Sequence, residues 1–441
     1  MEKTQKKIRG EVEISPILLT ETKNTVKNIS QFKKKIEEFL TKNTTDLVGV
    51  ILAGAIGLNA SDIHIEPEEE RVKMRIRIDG ILQDVIILEL KIYQSLLSRI
   101  KLLSKLKLNI ANRPQDGRFT ILMPIKEKEI IIEIRTSTLP AEWGETIVMR
   151  TLNPENLIEI EALGLRKDLV EILNKEIKKP NGMILVTGPT GSGKTTTLYA
   201  ILKKINNPEI KIITIEDPVE YHLEGLSQTQ VDPSRGYNFA NGLRAIMRQD
   251  PDIILVGEMR DLETAEIACQ SALTGHLVFS TLHTNNAAGA IARLIDLGVK
   301  TATIAPTLNM VIAQRLPRKV CKKCVKFIDP PKEELTKIKN GLIKIKKEVL
   351  PPIFFNSKLK IPKPIGCEDC NFIGYRGRIG IYEFFLVNDE MEKFILTNPS
   401  IVMIKELAIK EGMILMYQDG LIKVLEGITT IEEVERVAGD I

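Results

Sequence analysis

The stretch "MILVTGPTGSGKTTTLYAIL", residues 183–202, closes off most of the folds open to a chain of 441 residues. Gly188, Gly191, Gly193, Lys194 and Thr195 stand in the spacing of a P-loop, behind an apolar run with strand character and ahead of an amphipathic helical pattern. Glycines let consecutive backbone N–H groups curl around phosphate oxygens, and a helix starting at the loop adds positive potential. Lys194 then reaches the β- and γ-phosphates and Thr195 ligates Mg²⁺, with Pro189, Thr190, Ser192 and Thr196 completing the nucleotide-binding stretch. A Gly-rich turn without nucleotide would not need these flanks. From about 166 to 320 short apolar strands alternate with helical patterns, which predicts βαβ units and a parallel sheet.

Ligands of such a sheet sit at the carboxyl ends of its strands. "PDIILVGEMRD" (251–261) runs an apolar strand into Glu258, and "KIITIEDPVEY" (211–221) runs another into Glu216 and Asp217. An acid beside the phosphates orients the attacking water or holds Mg²⁺ through water; Glu258 and Glu216 are the candidates for the first role and Asp217 for the second. Either strand end read alone is equally a solvated acid. "TGHLVFSTLHT" (274–284) carries His276 and His283 around one apolar strand. Seven extended steps separate them by about 23 Å, too far to share a metal ion. They read as separate polar groups, with His283 the candidate γ-phosphate sensor and hydrogen-bonded structural histidines the alternative. No guanine-reading NKxD sequence is present, which argues against GTP, while no residue pattern here reads adenine.

The chain is too long for one ordinary core, and the remaining segments divide accordingly. Residues 1–43 read as a loosely held arm with a helix near "ISQFKKKIEEFL", and 44–150 as a smaller mixed α/β domain. Within it "LVGVILAGAIGLNA" (47–60) is apolar but shorter than the roughly 20 residues of a membrane span, so it reads as a buried helix. Val72, Met74, Ile76 and Ile78 alternate with Arg71, Lys73, Arg75 and Arg77 in the period of a half-buried strand, and "DG" supplies a hairpin turn. A Leu/Lys-rich helix over 93–108 leads to "RPQDGRF" and two more strand patterns. Residues 151–165 read as a linker and 386–441 as a helical C-terminal segment. No secretory signal is legible, which with the missing span predicts a cytoplasmic protein, where paired cysteines more often hold metal than form disulfides.

Four of the five cysteines form C-x2-C pairs, Cys321 with Cys324 and Cys367 with Cys370, with 42 residues between the pairs. Four thiolates suit tetrahedral Zn²⁺ with no open coordination position, so residues 321–385 are expected to form a structural zinc subdomain; unliganded thiols are the alternative. Cys269, inside a helical pattern, reads as a small buried residue.

The order of motifs from 44 to 440 resembles the ATPases of type II secretion and type IV pilus assembly. It runs "ASDIHIEP", "RIDG", "PQDGR", the P-loop, "ITIEDPVEY", "LRAIMRQDPDIILVGEMRD", "TGHLVFSTLHTNNA", "CKKC" and "GCEDCNFIGYRGRIGIYE". The resemblance implies a RecA-like motor domain preceded by a PAS-like domain, in a homohexamer associated peripherally with the inner face of the plasma membrane. It implies ATP hydrolysis that drives a polytopic inner-membrane platform protein to assemble a pilus or pseudopilus, with DNA uptake as one use. It also implies a cytoplasmic-face recruiting protein as a further partner. In this family the tetracysteine marks assembly and secretion members rather than retraction motors. Arg135 and Arg150 in the first domain and Arg244 and Arg248 in the motor match positions that surround the phosphates when the domains close.

A nucleic-acid motor, with the Arg71/Lys73/Arg75/Arg77 face and the zinc knuckles on phosphate, is the competing reading. Net charge is only +4 and aromatics are 5% of the chain, which fits poorly with a strand-binding groove, and no specific nucleic acid is expected. A small-molecule kinase would need a second substrate pocket that the sequence does not suggest.

Overall fold

The computed structural model describes residues 15–125, 128–355 and 359–439. They divide into two compact units, one made of the described residues up to 156 with 365–374, the other of those from 157 to 364 with those from 375 onward.

In the first unit α1 (Pro16–Thr25), α2 (Ile29–Glu37) and α3 (Thr44–Gly57) precede a six-stranded sheet. Where a loosely held arm was expected, α1 and α2 are packed in place: Leu19, Val26, Phe32 and Ile36 are buried in the unit's core, and their apolar spacing matches one helical face. Residues 1–14 of that arm lie outside the described residues. A Cβ on Gly54 would come within 2.2 Å of the Phe32 ring, so α2 crosses α3 against bare backbone. Every residue of α3 from Leu47 to Ile56 is buried, which accounts for its apolar run without a bilayer. Among the described residues no helix is long and apolar enough to cross a membrane.

The strands are β1 (Asp62–Pro67), β2 (Val72–Ile78), β3 (Ile81–Leu88), β4 (Gln115–Ile125), β5 (Lys128–Ala141) and β6 (Gly144–Leu152), in the order β3-β2-β1-β6-β5-β4. Asp79 and Gly80, with φ of 51° and 87°, make the left-handed two-residue turn that "DG" predicts between β2 and β3. The sequence after "RPQDGRF" holds three strands rather than two, because a tight turn opposite Ala141 and Gly144 folds β6 back on β5. The helix expected over 93–108 is α4 (Leu90–Leu103); the chain leaves it at Lys105, whose φ is 59°. The loop beyond is pinned by the Gln115 amide, which donates to the carbonyls of Lys107 and Ile110 at 3.0 and 2.8 Å. Lys101, buried on α4, donates to Glu145 at 2.5 Å and to the Ile110 carbonyl at 2.8 Å, tying helix, loop and β6 together.

The second unit begins with α5 (Lys167–Glu176), β7 (Gly182–Thr187), α6 (Lys194–Ile205), β8 (Ile212–Glu216) and β9 (Ser227–Gln230). It continues with α7 (Phe239–Ile246), β10 (Ile253–Val256), α8 (Leu262–Leu273), β11 (Leu277–Leu282), α9 (Ala288–Asp296), α10 (Thr301–Thr307) and β12 (Leu308–Arg315). After three short strands, β13 (Arg318–Val320), β14 (Lys326–Ile328) and β15 (Ile361–Lys363), with α11 (Lys332–Leu342) between the last two, come β16 (Tyr375–Arg378) and β17 (Ile381–Leu386). Helices α12 (Asp389–Leu396), α13 (Ile401–Lys410), α14 (Met416–Leu425) and α15 (Ile431–Ala438) make the helical C-terminal segment. The seven-stranded sheet runs β17-β12-β7-β11-β10-β8-β9, parallel except for β17. All residues of β7, β8, β10 and β11 are buried, as helices on both faces require, so these strands read as apolar runs without alternation. The P-loop strand β7 lies between β11 and β12, which brings the carboxyl end of β11 and the end of β12 beside the loop.

Candidate nucleotide site

The loop after β7 is built on glycine. Gly188, Gly191 and Gly193 have φ of 152°, 81° and 86°, conformations that L side chains rarely adopt. A Cβ on Gly188 would meet Ser192 Oγ at 2.5 Å and the Gln314 carbonyl at 2.7 Å, and one on Gly193 would meet Gln314 Nε2 at 2.8 Å. Gln314, from β12, thus backs the loop from behind and accepts a hydrogen bond from Thr197 Oγ1 at 2.7 Å. Ser192 Oγ is buried without a hydrogen-bond partner among the described residues. A bare cradle with an orphaned hydroxyl fits a phosphate group. Lys194 opens α6 and folds over the loop, donating to the carbonyls of Gly188 and Pro189 at 2.9 and 3.2 Å. Burial lowers its pKa, Arg315 lowers it further, and Glu258 and Glu220 oppose the shift. Thr195 and Thr196, half-buried, follow in the first turn of α6, and Pro189 and Thr190 are exposed on the loop.

Glu258 and His283 come together at this end of the sheet. Glu258 follows β10, and its loop is fixed on both sides: Gly257 N donates to the Ile215 carbonyl at 2.8 Å and Thr281 Oγ1 donates to the Gly257 carbonyl at 2.7 Å. Its carboxylate pairs with Arg260 and lies 3.8 Å from His283 Nε2. Burial lowers the His283 pKa, the Lys194 charge adds to this and Glu258 opposes it, so the imidazole is neutral at pH 7. Glu216 is placed differently. Its carboxylate is buried and accepts from Tyr199 OH, from Thr214 Oγ1 at 2.6 Å and from Gln228 Nε2 at 3.3 Å. Asp217, one residue on, is exposed and near enough to Arg260 to help hold it charged. His276 sits at the opposite end of β11 from His283, with Nδ1 2.9 Å from the Ser271 carbonyl at the end of α8.

Three groups at the site carried no sequence signal: Gln314, Arg260 and Arg315. Arg315 is buried and holds the carbonyls of Gln314 and Asn285 at 3.1 and 3.0 Å. Burial lowers its pKa, Glu383 opposes, and its charge is felt at Lys194. Only the neighbouring of β12 and β7 brings it there. Arg378 Nη1 lies 3.5 Å from the Gly191 carbonyl at the loop tip.

The four candidate arginines fall into two groups. Arg244 and Arg248 belong to the P-loop unit, but α7 ends at Ile246, so Arg248 stands in the following 3-10 turn rather than on the helix. Arg244 pairs with Glu263 at 2.6 Å, and Arg248 donates to the Arg244 carbonyl at 3.1 Å. Arg135 and Arg150 belong to the first unit, where they are direct cross-strand partners on β5 and β6. Arg150 Nε donates to Asp62 at 2.9 Å and Arg135 Nε to Glu133 at 2.9 Å. Along β2 and the residue before it each cation has an acid: Arg71 and Lys73 pair with Glu68, Arg75 with Glu66, and Arg77 with Asp62. A strip neutralised in this way is a poor track for a nucleic-acid backbone.

The Sγ atoms of Cys321, Cys324, Cys367 and Cys370 lie within 4.8 Å of one another. Cys367 and Cys370 have sulfurs 3.8 Å apart, far from the roughly 2 Å of a disulfide and close to the edge of a tetrahedron with Zn–S bonds of about 2.3 Å. Cys370 Sγ also accepts from the backbone N–H of Cys367 and Gly374 at 3.1 and 3.3 Å, as a thiolate ligand does. This donor set fits zinc. Cys269 is fully buried on α8, where burial pushes its thiol up to about 12, as suits an inert core residue.

Known proteins resemble this chain over most of its length. The type II secretion system protein E of Xanthomonas campestris pv. campestris is 46% identical over 397 residues, covering 89% of this chain and 67% of that protein. The type IV pilus assembly ATPase PilB of Pseudomonas aeruginosa is 42% identical over 394 residues, again covering 89% of this chain and 67% of its own length. Among solved structures, the pilus retraction motor PilT with bound ADP matches with a TM-score of 0.57 at 28% identity, over 88% of this chain and 96% of that one. The Legionella pneumophila ATPase DotB shares the fold with a TM-score of 0.64 at 22% identity, over 90% and 96%. The profile of the type II/IV secretion system proteins matches residues 40–436, and the chain belongs to that family.

Proposed function

We propose that the chain hydrolyses ATP, as a homohexamer, to power assembly of a type IV pilus or a type II secretion pseudopilus through a polytopic membrane platform protein. The observation that carries the reading is the meeting of Lys194, Glu258 and His283 around a glycine cradle. The relatives named as secretion and pilus assembly ATPases supply the direction of the work. Backbone amides of Gly188–Thr196 cradle the phosphates, and Lys194 neutralises charge on the γ-phosphate as it leaves. Glu258 accepts a proton from the attacking water. We assign it rather than Glu216 because its carboxylate is reached by His283, whereas Glu216 is sealed by Tyr199, Thr214 and Gln228. His283, neutral at working pH, donates toward the γ-phosphate. Mg²⁺ would be held by Thr195 and, through water, by Asp217, and would supply charge stabilisation to the phosphates. Zn²⁺ on the four cysteines would staple the chain there without entering the reaction. Arg135 and Arg150, with Arg244 and Arg248, are assigned to charge neutralisation at the phosphates, and their need for assembly makes turnover cooperative.

Glu258→Gln should bind ATP within a few-fold of the parent yet lose turnover, while Lys194→Ala should lose turnover outright. If Glu216→Gln is instead the variant that holds ATP unhydrolysed, the two acids are reversed. Doping Lys194→Ala subunits into parent assemblies should depress turnover more steeply than their fraction; a proportional loss would mean that each subunit works alone.

A further inference from the structure

The register of the first unit's sheet aligns residues that are scattered in sequence. Arg77 on β2 pairs with Asp62 on β1, Asp62 with Arg150 on β6, Arg150 with Arg135 on β5, and Arg135 with Arg118 on β4. One transverse row on one face thus carries four arginines and one aspartate, with three arginines directly opposed on neighbouring strands. Like charges in that relation destabilise a sheet, so the row is a feature that folding alone does not favour. Glu133 balances part of it, at 2.9 Å from Arg135 and 3.9 Å from Arg118.

Asp62 is the row's buried member. Its side chain is 7% exposed, whereas that of Arg150 is 56% exposed. Its carboxylate accepts from Ser61 Oγ at 2.8 Å and from Arg150 Nε at 2.9 Å, and lies 3.4 Å from Arg77 Nε. The backbone around it is tied down on both sides, by Ser61 N to the Arg77 carbonyl at 2.9 Å and by Thr151 N to the Ser61 carbonyl at 3.0 Å. A fixed carboxylate on Nε orients the guanidinium of this half-exposed side chain without engaging its terminal nitrogens, a fork that matches two phosphate oxygens. Arg77 has a second acceptor of its own, the Gly80 carbonyl at 3.1 Å, so Asp62 is not needed to satisfy it.

We propose that Asp62 is a positioning residue that aims Arg150 at the γ-phosphate; this rests on the role given to Arg150 above. The test is ATP turnover by full-length Asp62→Asn, Arg150→Ala and the double variant. Asp62→Asn should lower kcat by about 10-fold with KM for ATP within about twofold, a smaller loss than that of Arg150→Ala. In the Arg150→Ala background the same change should cost nothing further, which a merely structural role would not produce. Additive losses, or full kcat in Asp62→Asn, would overturn the proposal while leaving Arg150 in place. Full kcat in Arg150→Ala would strike the role of Arg150 itself, and the proposal with it. Should Asp62→Asn fail to fold, Asp62→Glu keeps the charge but moves it by one methylene. It should show the same fall in kcat with KM preserved, and its parent-like kcat would count against the proposal.

Discussion

The two sheets of this chain place their polar groups in opposite ways. In the seven-stranded sheet the strands are buried throughout, and chemistry sits on the loops beyond their carboxyl ends, where backbone amides and one lysine surround a cradle of glycines. In the six-stranded sheet only one face is buried, and cations stand on the strands themselves, in a row set by register. The first device is local. Its residues fall within nine positions and the conformations they need are those glycine permits. The second is assembled from residues 62, 77, 118, 135 and 150, and no spacing along the chain announces it. A loop site is therefore broken by a single methyl group, and a strand site by loss of a carboxylate or of the sheet's anchoring.

The sharpest blow to the loop half is Gly193→Ala. Its Cβ would meet Gln314 Nε2 at 2.8 Å in a left-handed backbone, so ATP affinity should fall at least ~100-fold, read by titration with a fluorescent nucleotide analogue. Affinity within a few-fold of the parent would show that the loop tolerates a side chain there.

For the strand half the corresponding anchor is Lys101, buried against Glu145 beside β6. Lys101→Ala leaves a buried carboxylate uncompensated and should destabilise the first unit by about 3–5 kcal/mol in denaturant unfolding. A loss below 1 kcal/mol would mean that the pair does not hold the sheet.

These two contrasts also explain what could be read in advance. Strand β2, its "DG" turn, the buried helix α3 and the parallel sheet follow from period and local propensity, and the P-loop from glycine geometry. Packing of α1 and α2 was hidden because Leu19, Val26 and Phe32 are sparse among charged residues and show their face only against α3. Glu216 and Glu258 end apolar strands in the same manner, and Tyr199, arriving from α6, with Thr214 and Gln228, seals one and not the other. Gln314 and Arg315 owe their place to β12 lying beside β7, more than a hundred residues away in sequence.

Metal removal separates both halves from the cysteine cluster. Protein purified without chelators should hold about one zinc per chain, and Cys367→Ser should release it and lower thermal stability while nucleotide affinity changes less than about twofold. Absence of zinc from such protein would refute the site, and loss of nucleotide affinity on its removal would join the cluster to the loop.

The smallest effect concerns the C-terminal helices. Burial would raise the Glu433 pKa, but hydrogen bonds from Arg436 and Arg318 outweigh it and hold the carboxyl at about 2. Unfolded, the group titrates near its ordinary value, so between about pH 4.5 and 2 the unfolded chain binds more protons. Stability from this carboxylate is thus present above that window and lost as pH falls through it. Glu433→Gln should flatten the acid limb of the second unit's stability profile, and an unchanged limb would show that the pair is neutral in effect.

The central claim is that ATP turnover needs both devices, the glycine cradle to hold phosphate and the arginine row to stabilise its departure. Parallel measurement of ATP affinity and steady-state turnover in full-length Arg150→Ala tests it most directly. The account predicts affinity within a few-fold of the parent and turnover lowered at least ~100-fold, the scale of a lost arginine at a phosphoryl transfer site. Turnover within about twofold of the parent would contradict it and leave the cradle to act alone.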